Sequence, residues 1–232
     1  MSRVAPEPLP VGEEKVRAVR EMFDTIAPRY DLLNRILTFG MDISWRRRTV
    51  QGLRLPKGSL VLDLACGTGD LCRELRMAGY RAVGFDNSAG MLAAARTRVP
   101  LLLADALSLP VRAGEADGIT CGFALRNVAD LGRLFSEMAR VLRPGGRIGL
   151  LETAQPEAAL PRLLHRLYFY RVVPIVGGLL SDRAAYTYLP RSSAYLPEAP
   201  ELIQMLRSCG FATIARRRLG LGAAQLVTGT KG

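Results

Sequence analysis

Residues 61–70, VLDLACGTGD, constrain the fold of this chain more than any other stretch. The first half is an apolar run with one acid inside it, which is typical of a strand buried on both faces. Gly67 and Gly69 flank Thr68 in a predicted sharp turn, where the absence of a Cβ lets the backbone approach a ligand closely. A helix is predicted to start at Asp70, and its first unpaired N–H groups would face the same point. The stretch therefore predicts a binding corner of nucleotide type.

Strands and helices alternate along the chain after this corner. We predict strands at 59–65, 81–85, 101–104, 118–123, 147–151, 212–219 and 224–230, helices at 70–77, 90–98, 131–142 and 200–208, and a turn at 143–146. Such alternation predicts an α/β fold with a mostly parallel seven-stranded sheet and helices on both faces. Ligands of such sheets bind at the carboxyl ends of the strands, beside the point where the strand order reverses.

The sequence before residue 57 has a different pattern. Residues 1–12 carry three prolines and predict a flexible tail without the apolar core of a signal peptide. Helical spacing follows at 12–27, then up to Phe39 before Gly40, and again at 42–53. We expect three regions: the tail, an N-terminal helical cap at 13–56, and one domain at 57–232 that includes an apolar insertion at about 155–198.

Polar groups fall at the predicted carboxyl ends of four strands. Besides the glycine turn these are Asp86, Asp105 with Ala106, and the segment 122–127. Asp86 is placed to accept both hydroxyls of a ribose, and Asp105 to accept from an adenine amino group while a neighbouring N–H donates to the ring. Cys72 stands where the dinucleotide fingerprint has its third glycine, and the chain has no phosphate-binding GxxxxGK[ST] motif. A nucleoside without a pyrophosphate is favoured over NAD or ATP.

Taken together, these residues resemble the menaquinone/ubiquinone biosynthesis C-methyltransferase family. The matching blocks are VLDLACGTGD at 61–70, MFDTIAPRYDLLN at 22–34, GFALRNVAD at 122–130, LRPGG at 142–146 and YTYLPRS at 186–192. The first block looks like motif I of class I S-adenosylmethionine-dependent methyltransferases, which implies a Rossmann-like fold and S-adenosylmethionine as cofactor. The resemblance further implies C-methylation of a prenylated quinol, demethylmenaquinol or its benzoquinol counterpart, with the naphthoquinol preferred here.

The resemblance also implies roles for individual residues. The candidate cofactor-binding residues are Asp63, Gly67, Thr68, Gly69, Asp86, Asn87, Asp105, Ala106 and Gly122. The family usually has a serine at position 122, so Gly122 would offer only its backbone. Tyr30, Arg126 and Asn127 match positions near the quinol ring and are the candidate catalytic residues, with Arg126 stabilising a developing phenolate. The alternative is structural: Arg126 and Asn127 could pair a helix end, and Tyr30 could belong to the core.

The formal net charge of +11 suggests an anionic partner such as nucleic acid or a membrane surface. The tight arginine clusters at 46–48 and 216–218 are expected on solvated faces, and no aromatic-rich basic stripe of a single-strand binder is present. We therefore do not expect nucleic acid as a partner. A small-molecule or RNA methyltransferase on the same fold, or a silent cofactor-binding module, stays open as an alternative.

Residues 160–180 form the most apolar part of the sequence. They could line a channel for a prenyl tail, contact a membrane at its surface, or form core and homodimer contacts. No apolar run is long enough to span a bilayer, and the four scattered cysteines fit a reduced setting without a metal site. We expect a cytoplasmic protein, with peripheral contact at the inner face of the cell membrane left open. His165, the one histidine, is assigned no role.

Overall fold

The computed structural model describes residues 12–168, 171, 173, 188 and 192–232. The predicted tail, apart from its last residue, and 20 of the 44 residues of the predicted apolar insertion lie outside these residues. The same is true of the side chain of His165 and of Tyr186 in the YTYLPRS block. The proposed division of the chain into tail, cap and domain stays a prediction.

From residue 12 onward, three helices precede the first strand. These are α1 (Gly12–Ile26), α2 (Tyr30–Leu37) and α3 (Met41–Leu53), separated by a 3₁₀ turn at Ala27–Arg29 and by Gly40. Pro28 sits inside that turn because its fixed φ and missing N–H suit the start of a new helical segment. Gly40 takes φ +72°, the left-handed conformation that ends α2 and starts α3. The predicted breaks at Pro28 and Gly40 are confirmed.

The alternating part follows in the predicted order. Its strands are β1 (Leu60–Leu64), β2 (Arg81–Asp86), β3 (Leu101–Leu103), β4 (Ala116–Gly122), β5 (Leu142–Thr153), β6 (Phe211–Leu219) and β7 (Ala224–Lys231). Its helices are α4 (Asp70–Met77), α5 (Ala89–Ala93), α6 (Leu131–Val141), α7 (Ala159–Leu167) and α8 (Ala199–Ser208). The described residues form one seven-stranded sheet in the order β3-β2-β1-β4-β5-β7-β6.

The sheet is parallel except at one edge. β1 pairs in parallel with β2 and β4, β4 pairs in parallel with β5, and β7 is antiparallel to both β5 and β6. The chain runs outward from β1 through β2 to β3 and then returns to place β4 on the other side of β1. The strand order therefore reverses between β1 and β4, which puts a crevice at their carboxyl ends. The α/β fold with a mostly parallel seven-stranded sheet predicted from the sequence is confirmed.

Side-chain alternation along β1 divides the core into two layers. Val61 packs on one face with Val50 and Leu53 of α3 and with Leu71 and Leu75 of α4. On the opposite face, Leu62 and Leu64 of β1 pack against two helices. The facing residues are Leu134, Phe135 and Met138 of α6 and Leu202 and Leu206 of α8. Helix α3 thus covers the sheet, while α1 and α2 lie nearer the crevice.

Two local predictions need correction. The helix predicted at 90–98 ends at Ala93, because Val99 packs with Cys66 and Cys72 and draws the chain toward the glycine turn. The turn predicted at 143–146 lies inside β5 as a bulge, since β4 pairs with Leu142 and then with Arg147.

The expectation that residues 46–48 form a solvated face is wrong for Arg46. Its side chain is buried and forms an ion pair with the buried Asp42, one turn earlier in α3. A second, longer contact joins Arg46 to Asp70 at the start of α4. One arginine of the cluster therefore stabilises the packing of α3 on α4 and adds nothing to a basic surface.

Candidate active site

Asp86 joins the end of β2 to the glycine turn that follows β1. One carboxylate oxygen accepts a hydrogen bond from the Gly67 N–H at 2.7 Å, and the other accepts from the Ser88 N–H at 2.8 Å. The side chain is buried, and this burial raises the pKa of the carboxyl above its ordinary value. The Asp86 carboxylate thus holds the glycine turn in place by these hydrogen bonds, and it lies at the edge of the crevice.

The backbone is strained on both sides of the crevice. Ala65, after β1, has φ +50°, and Phe123, after β4, has φ +60°, a region that residues with a Cβ rarely adopt. In the turn itself, Gly69 has φ +83°, and a Cβ added there would lie 2.6 Å from the Thr97 methyl group. Such strain is characteristic of functional sites, where the surrounding structure holds it in place.

A cavity lies at the carboxyl ends of β1, β2 and β4. Most of the residues predicted from the sequence line it: Tyr30, Gly67, Asp86, Asn87, Asp105, Ala106, Gly122 and Asn127. Asp105 accepts a hydrogen bond from the Leu107 N–H at 2.9 Å, which orients its carboxylate at the cavity wall. The predicted ribose and adenine positions therefore belong to one cavity, called here the nucleoside cavity.

Helix α1 covers part of this cavity with Val16, Val19 and Phe23. Asp24 fastens the helix to the start of α5, because its carboxylate accepts from the Ser88 hydroxyl at 2.5 Å and from the Gly90 N–H at 2.9 Å. Near the other end, Lys15 donates to the Val128 carbonyl at 2.9 Å and lies 3.8 Å from the centre of the Tyr195 ring. Burial lowers the pKa of Lys15 to about 8.

A second cavity of about 420 Å³ adjoins the first. Its walls are mainly apolar, and they include Met22 and Ile26 of α1, Leu37 of α2, Phe39 in the turn after α2, Trp45 of α3, Leu160 of α7 and Leu221 before β7. Phe23, Tyr30, Phe123 and Asn127 line both cavities. We call this the apolar cavity, and these four residues form the partition.

Two of the three candidate catalytic residues, Tyr30 and Asn127, belong to this partition, and Arg126 lies beside it in the wall of the apolar cavity. Tyr30 packs edge-on against Phe23 with ring centres 5.8 Å apart, and burial raises the pKa of its hydroxyl, which therefore stays protonated at neutral pH. Asn127 accepts from the Tyr188 hydroxyl at 3.3 Å. Arg126 lines the apolar cavity, where its guanidinium forms a buried ion pair with Glu152 and its Nε donates to the Ser192 hydroxyl at 3.2 Å.

Three predicted cofactor residues are not brought to the cavity wall. Asp63 is buried within β1, where one oxygen accepts from the Thr120 hydroxyl at 2.7 Å and the other from the Cys72 thiol at 3.3 Å. Thr68 is buried, and its hydroxyl donates to Asp31 at 2.6 Å. Gly69 permits the turn by its conformation. A direct cofactor contact by these side chains, as opposed to support of the turn, stays a prediction.

A comparison with models of protein families identifies the family of this chain. Residues 10–231 match the model of the ubiE/COQ5 methyltransferase family. The chain belongs to the ubiE/COQ5 methyltransferase family. The match extends far beyond motif I and covers nearly the whole chain, so the assignment of this protein as a methyltransferase does not depend on that motif alone.

Individual members of the family align with this methyltransferase over 90% or more of its length. The ubiquinone/menaquinone biosynthesis C-methyltransferase UbiE of Geobacter sulfurreducens is 40% identical over 94% of this chain and 90% of its own. The demethylmenaquinone methyltransferase of Deinococcus radiodurans is 44% identical over 96% and 97% of the two chains. That of Thermus thermophilus is 44% identical over 90% of this chain and 100% of its own.

Solved structures confirm the fold. A SAM-dependent methyltransferase of Thermotoga maritima, a possible histamine N-methyltransferase, superimposes with a TM-score of 0.66 at 20% identity, covering 92% of this chain and 99% of that one. The [4+2]-cyclase SpnF also gives a TM-score of 0.66, at 18% identity and 99% coverage of both chains. Because one of the two is named for a different reaction, the fold alone does not specify the chemistry.

Position 122 has room for the serine that the family usually carries. A Cβ built on Gly122 would meet only one atom within 4 Å, the Leu71 Cδ2 at an ordinary 3.5 Å. The glycine is therefore not required by crowding.

Several residues that support the site were given no role in the sequence analysis. Glu152, Asp31 and Asp24 contact Arg126, Thr68 and α5 respectively, yet each lies 20 or more residues from its partner in sequence. Asp24 and Asp31 do fall inside the matched block 22–34, which was a usable signal. Glu152 falls in no motif, and only the pairing of β4 with β5 brings it beside Arg126.

We expect the replacement of Asp63 by asparagine to raise stability at alkaline pH. Burial raises the pKa of Asp63 to about 7, so the folded protein binds a proton between pH 4 and 7 that the unfolded chain has released. The free energy of unfolding therefore falls as pH rises through this window, by up to about 4 kcal/mol. An asparagine at this position cannot ionise and should remove that loss. Urea unfolding at pH 5 and pH 8 measures it.

The same variant separates a structural Asp63 from a cofactor ligand. Because Asp63 contacts Thr120 and Cys72 and does not line the cavity, the affinity of the Asp63→Asn protein for S-adenosylmethionine should stay within about twofold of the wild type. A loss of tenfold or more would instead place Asp63 in the binding site, as the sequence predicted. Equal unfolding free energies of the two proteins at both pH values would contradict the raised pKa.

Proposed function

We propose that this methyltransferase uses S-adenosylmethionine to C-methylate a reduced, prenylated quinol, most simply demethylmenaquinol to menaquinol. The observation that carries the proposal is the partition: a nucleoside cavity edged by Asp86 and Asp105 shares four lining residues with an apolar cavity. A polar cofactor and an apolar substrate can thus meet at Tyr30 and Asn127. The relatives named for demethylmenaquinone support this substrate class.

The nucleoside cavity would hold the cofactor by its two ends. Asp86 would accept the ribose hydroxyls with the lone pairs left free by Gly67 and Ser88, and Asp105 with Ala106 would face the adenine. Phe23 of α1 would cover the nucleoside from the other side. When bound, S-adenosylmethionine supplies a methyl carbon that its sulfonium makes electrophilic. The protein's part is to place that carbon at the partition and keep water away.

The apolar cavity would hold the quinol ring at the partition and the start of its tail beyond. The nucleophile is the ring carbon ortho to a hydroxyl, and it becomes more electron-rich as that hydroxyl loses its proton. Tyr30 and Asn127 can hydrogen-bond the hydroxyl, and Arg126 can stabilise the developing phenolate. Arginine stays protonated in proteins, so Arg126 acts electrostatically and does not accept the proton directly.

The experiment is incubation with methyl-labelled S-adenosylmethionine and chemically reduced demethylmenaquinone, with product mass as the readout. The equivalent benzoquinol and an RNA substrate run in parallel. We expect labelled menaquinone, formed at a rate that changes little with salt. Methylation of the benzoquinol alone would move the substrate to the ubiquinone branch, and labelled RNA with steep salt dependence would replace the proposal by an RNA methyltransferase.

We further propose peripheral contact with an anionic bilayer, which would deliver the prenylated substrate. Among the described residues no helix is long and apolar enough to cross a membrane. Leu160, Leu163 and Leu167 lie on one face of α7 and are 66%, 62% and 54% exposed, and Arg162 and Arg166 lie between them in sequence. Leu160 also lines the apolar cavity. Exposed leucines with flanking arginines are typical of a helix that lies in a lipid interface.

Flotation with liposomes tests this contact. Wild type should float with vesicles containing anionic lipid, and Leu163→Glu should reduce the bound fraction at least fivefold. Met77→Glu is the matched control, because Met77 is 61% exposed on a helix and lines neither cavity. Equal flotation of the two variants, or no flotation of the wild type, would rule out this role of α7. The homodimer expected as an alternative use of this region stays a prediction.

A further inference from the structure

Glu152 is an acid that the sequence motifs do not mark, buried beside the apolar cavity. It lies near the end of β5 and is 1% exposed. One carboxylate oxygen accepts from Arg126 Nη1, from the Thr153 N–H at 2.7 Å and from the Thr153 hydroxyl at 3.3 Å. The other oxygen accepts from the Arg126 backbone N–H at 3.3 Å. Both the backbone and the side chain of Arg126 are therefore held by one carboxylate.

We propose that Glu152 is a positioning residue for methyl transfer, which acts through Arg126. This inference rests on the proposed function, because it concerns how Arg126 meets the quinol hydroxyl. Glu152 sets the orientation of the guanidinium, and its negative charge compensates most of the positive charge of the guanidinium. Both effects reach the substrate only through Arg126, since Glu152 itself does not line the cavity.

The geometry of the guanidinium supports the orienting role. Glu152 occupies Nη1 and the Ser192 hydroxyl occupies Nε, and the structure gives no bond from Nη2 to any residue it describes. A planar guanidinium fixed at two nitrogens has its third nitrogen fixed as well. Nη2 is thus the one guanidinium nitrogen without an acceptor among the described residues, and it can donate to a hydroxyl in the cavity. Without Glu152, the side chain would keep only the Ser192 contact and could rotate about it.

The charge supports the second role. The buried pair Arg126–Glu152 is nearly neutral as a unit, so a quinol hydroxyl beside it feels only part of a full positive charge. Removal of the carboxylate would leave an uncompensated guanidinium, which favours the phenolate and lowers the pKa of the bound hydroxyl. The pH dependence of turnover therefore reports on Glu152, and a residue that served only the fold would leave that dependence unchanged.

The test compares Glu152→Gln with wild type and with Glu137→Gln. Glu137 is the matched control because it also binds an arginine, Arg140, and accepts a backbone N–H, from Leu109 at 2.6 Å, away from both cavities. Rates are measured from pH 6 to 10 with S-adenosylmethionine and reduced demethylmenaquinone. For Glu152→Gln we expect kcat to fall about tenfold with KM for S-adenosylmethionine within twofold, and the alkaline rise of kcat to move roughly one pH unit lower.

The outcomes separate the inference from the proposed function. A wild type that methylates no quinol overturns both. An active wild type with Glu152→Gln at full kcat, or at reduced kcat with an unmoved pH profile, overturns the inference alone. If Glu152→Gln does not fold, Glu152→Asp replaces it: the charge is kept and the reach shortened, so kcat should fall with the pH profile in its wild-type place. Full turnover of Glu152→Asp then overturns the orienting role.

Discussion

Replacing Asp86 by alanine is expected to weaken the binding of S-adenosylmethionine by at least about 100-fold. The change removes the acceptor for the ribose hydroxyls, and hydrogen bonds to charged groups contribute about 1.5–3 kcal/mol each. It also releases the Gly67 and Ser88 N–H groups, which hold the glycine turn and the start of α5. Calorimetric titration of the purified protein with S-adenosylmethionine measures the affinity, and thermal unfolding without ligand measures the structural part.

Asp117→Ala is the matched control for this experiment. Asp117 accepts the Leu60 N–H at 2.7 Å at the opposite end of β1, so it makes the same kind of strand-end contact outside both cavities. The two variants should lose comparable stability, and only Asp86→Ala should lose affinity. If Asp86→Ala binds within threefold of the wild type, the nucleoside cavity does not hold a ribose at Asp86 and the cofactor proposal needs another site.

Replacing Arg126 by alanine is expected to lower kcat by about 1,000-fold, because a preorganised donor to a developing oxyanion contributes roughly 10²–10³ in rate. The same change leaves the buried Glu152 without its partner, which should reduce the free energy of unfolding by about 3–5 kcal/mol. The affinity for S-adenosylmethionine should change little, since Arg126 lines only the apolar cavity. Steady-state kinetics with both substrates and urea unfolding measure the three quantities.

A double variant separates the two effects of Arg126. Removing both charges together, as Arg126→Met with Glu152→Met, leaves no unpaired buried ion and is expected to recover most of the stability. It should not recover activity. A stable double variant with wild-type turnover would show that the pair serves the fold alone, and an Arg126→Ala protein with full turnover would exclude Arg126 from the reaction.

Most of the fold could be predicted from the sequence because it depends on patterns of short range. Apolar runs marked the strands, and glycine and proline marked the breaks at Pro28 and Gly40. The helix predicted at 90–98 failed because the burial of Val99 against Cys66 and Cys72 is a tertiary contact, and it overrides helical spacing. For the same reason Arg46 could not be recognised as buried: besides Asp42 in its own helix it contacts Asp70, which is 24 residues away in sequence.

The site was predictable where it follows strand ends and less so where it depends on packing. Asp86, Asp105 and Asn127 line cavities because parallel strands bring their carboxyl ends to one edge. Asp63 is the fourth residue of the five-residue strand β1, and strand alternation directs its side chain into the layer under α4, where it contacts Cys72 and not the cavity. Glu152 was missed because no motif surrounds it in the sequence. Its role follows only from its ion pair with Arg126, which lies in the turn after the neighbouring strand β4.

The partition has a thermodynamic consequence for the affinities of the two cavities for their ligands. Phe23, Tyr30, Phe123 and Asn127 touch both cavities, so any shift of these side chains caused by one ligand changes the free energy of binding the other. Reciprocity then requires each ligand to change the affinity of its neighbour by the same factor. Under the proposed function, the demethylated cofactor and the methylated quinol would contact the same four side chains, so each product would change the affinity for the other by one common factor.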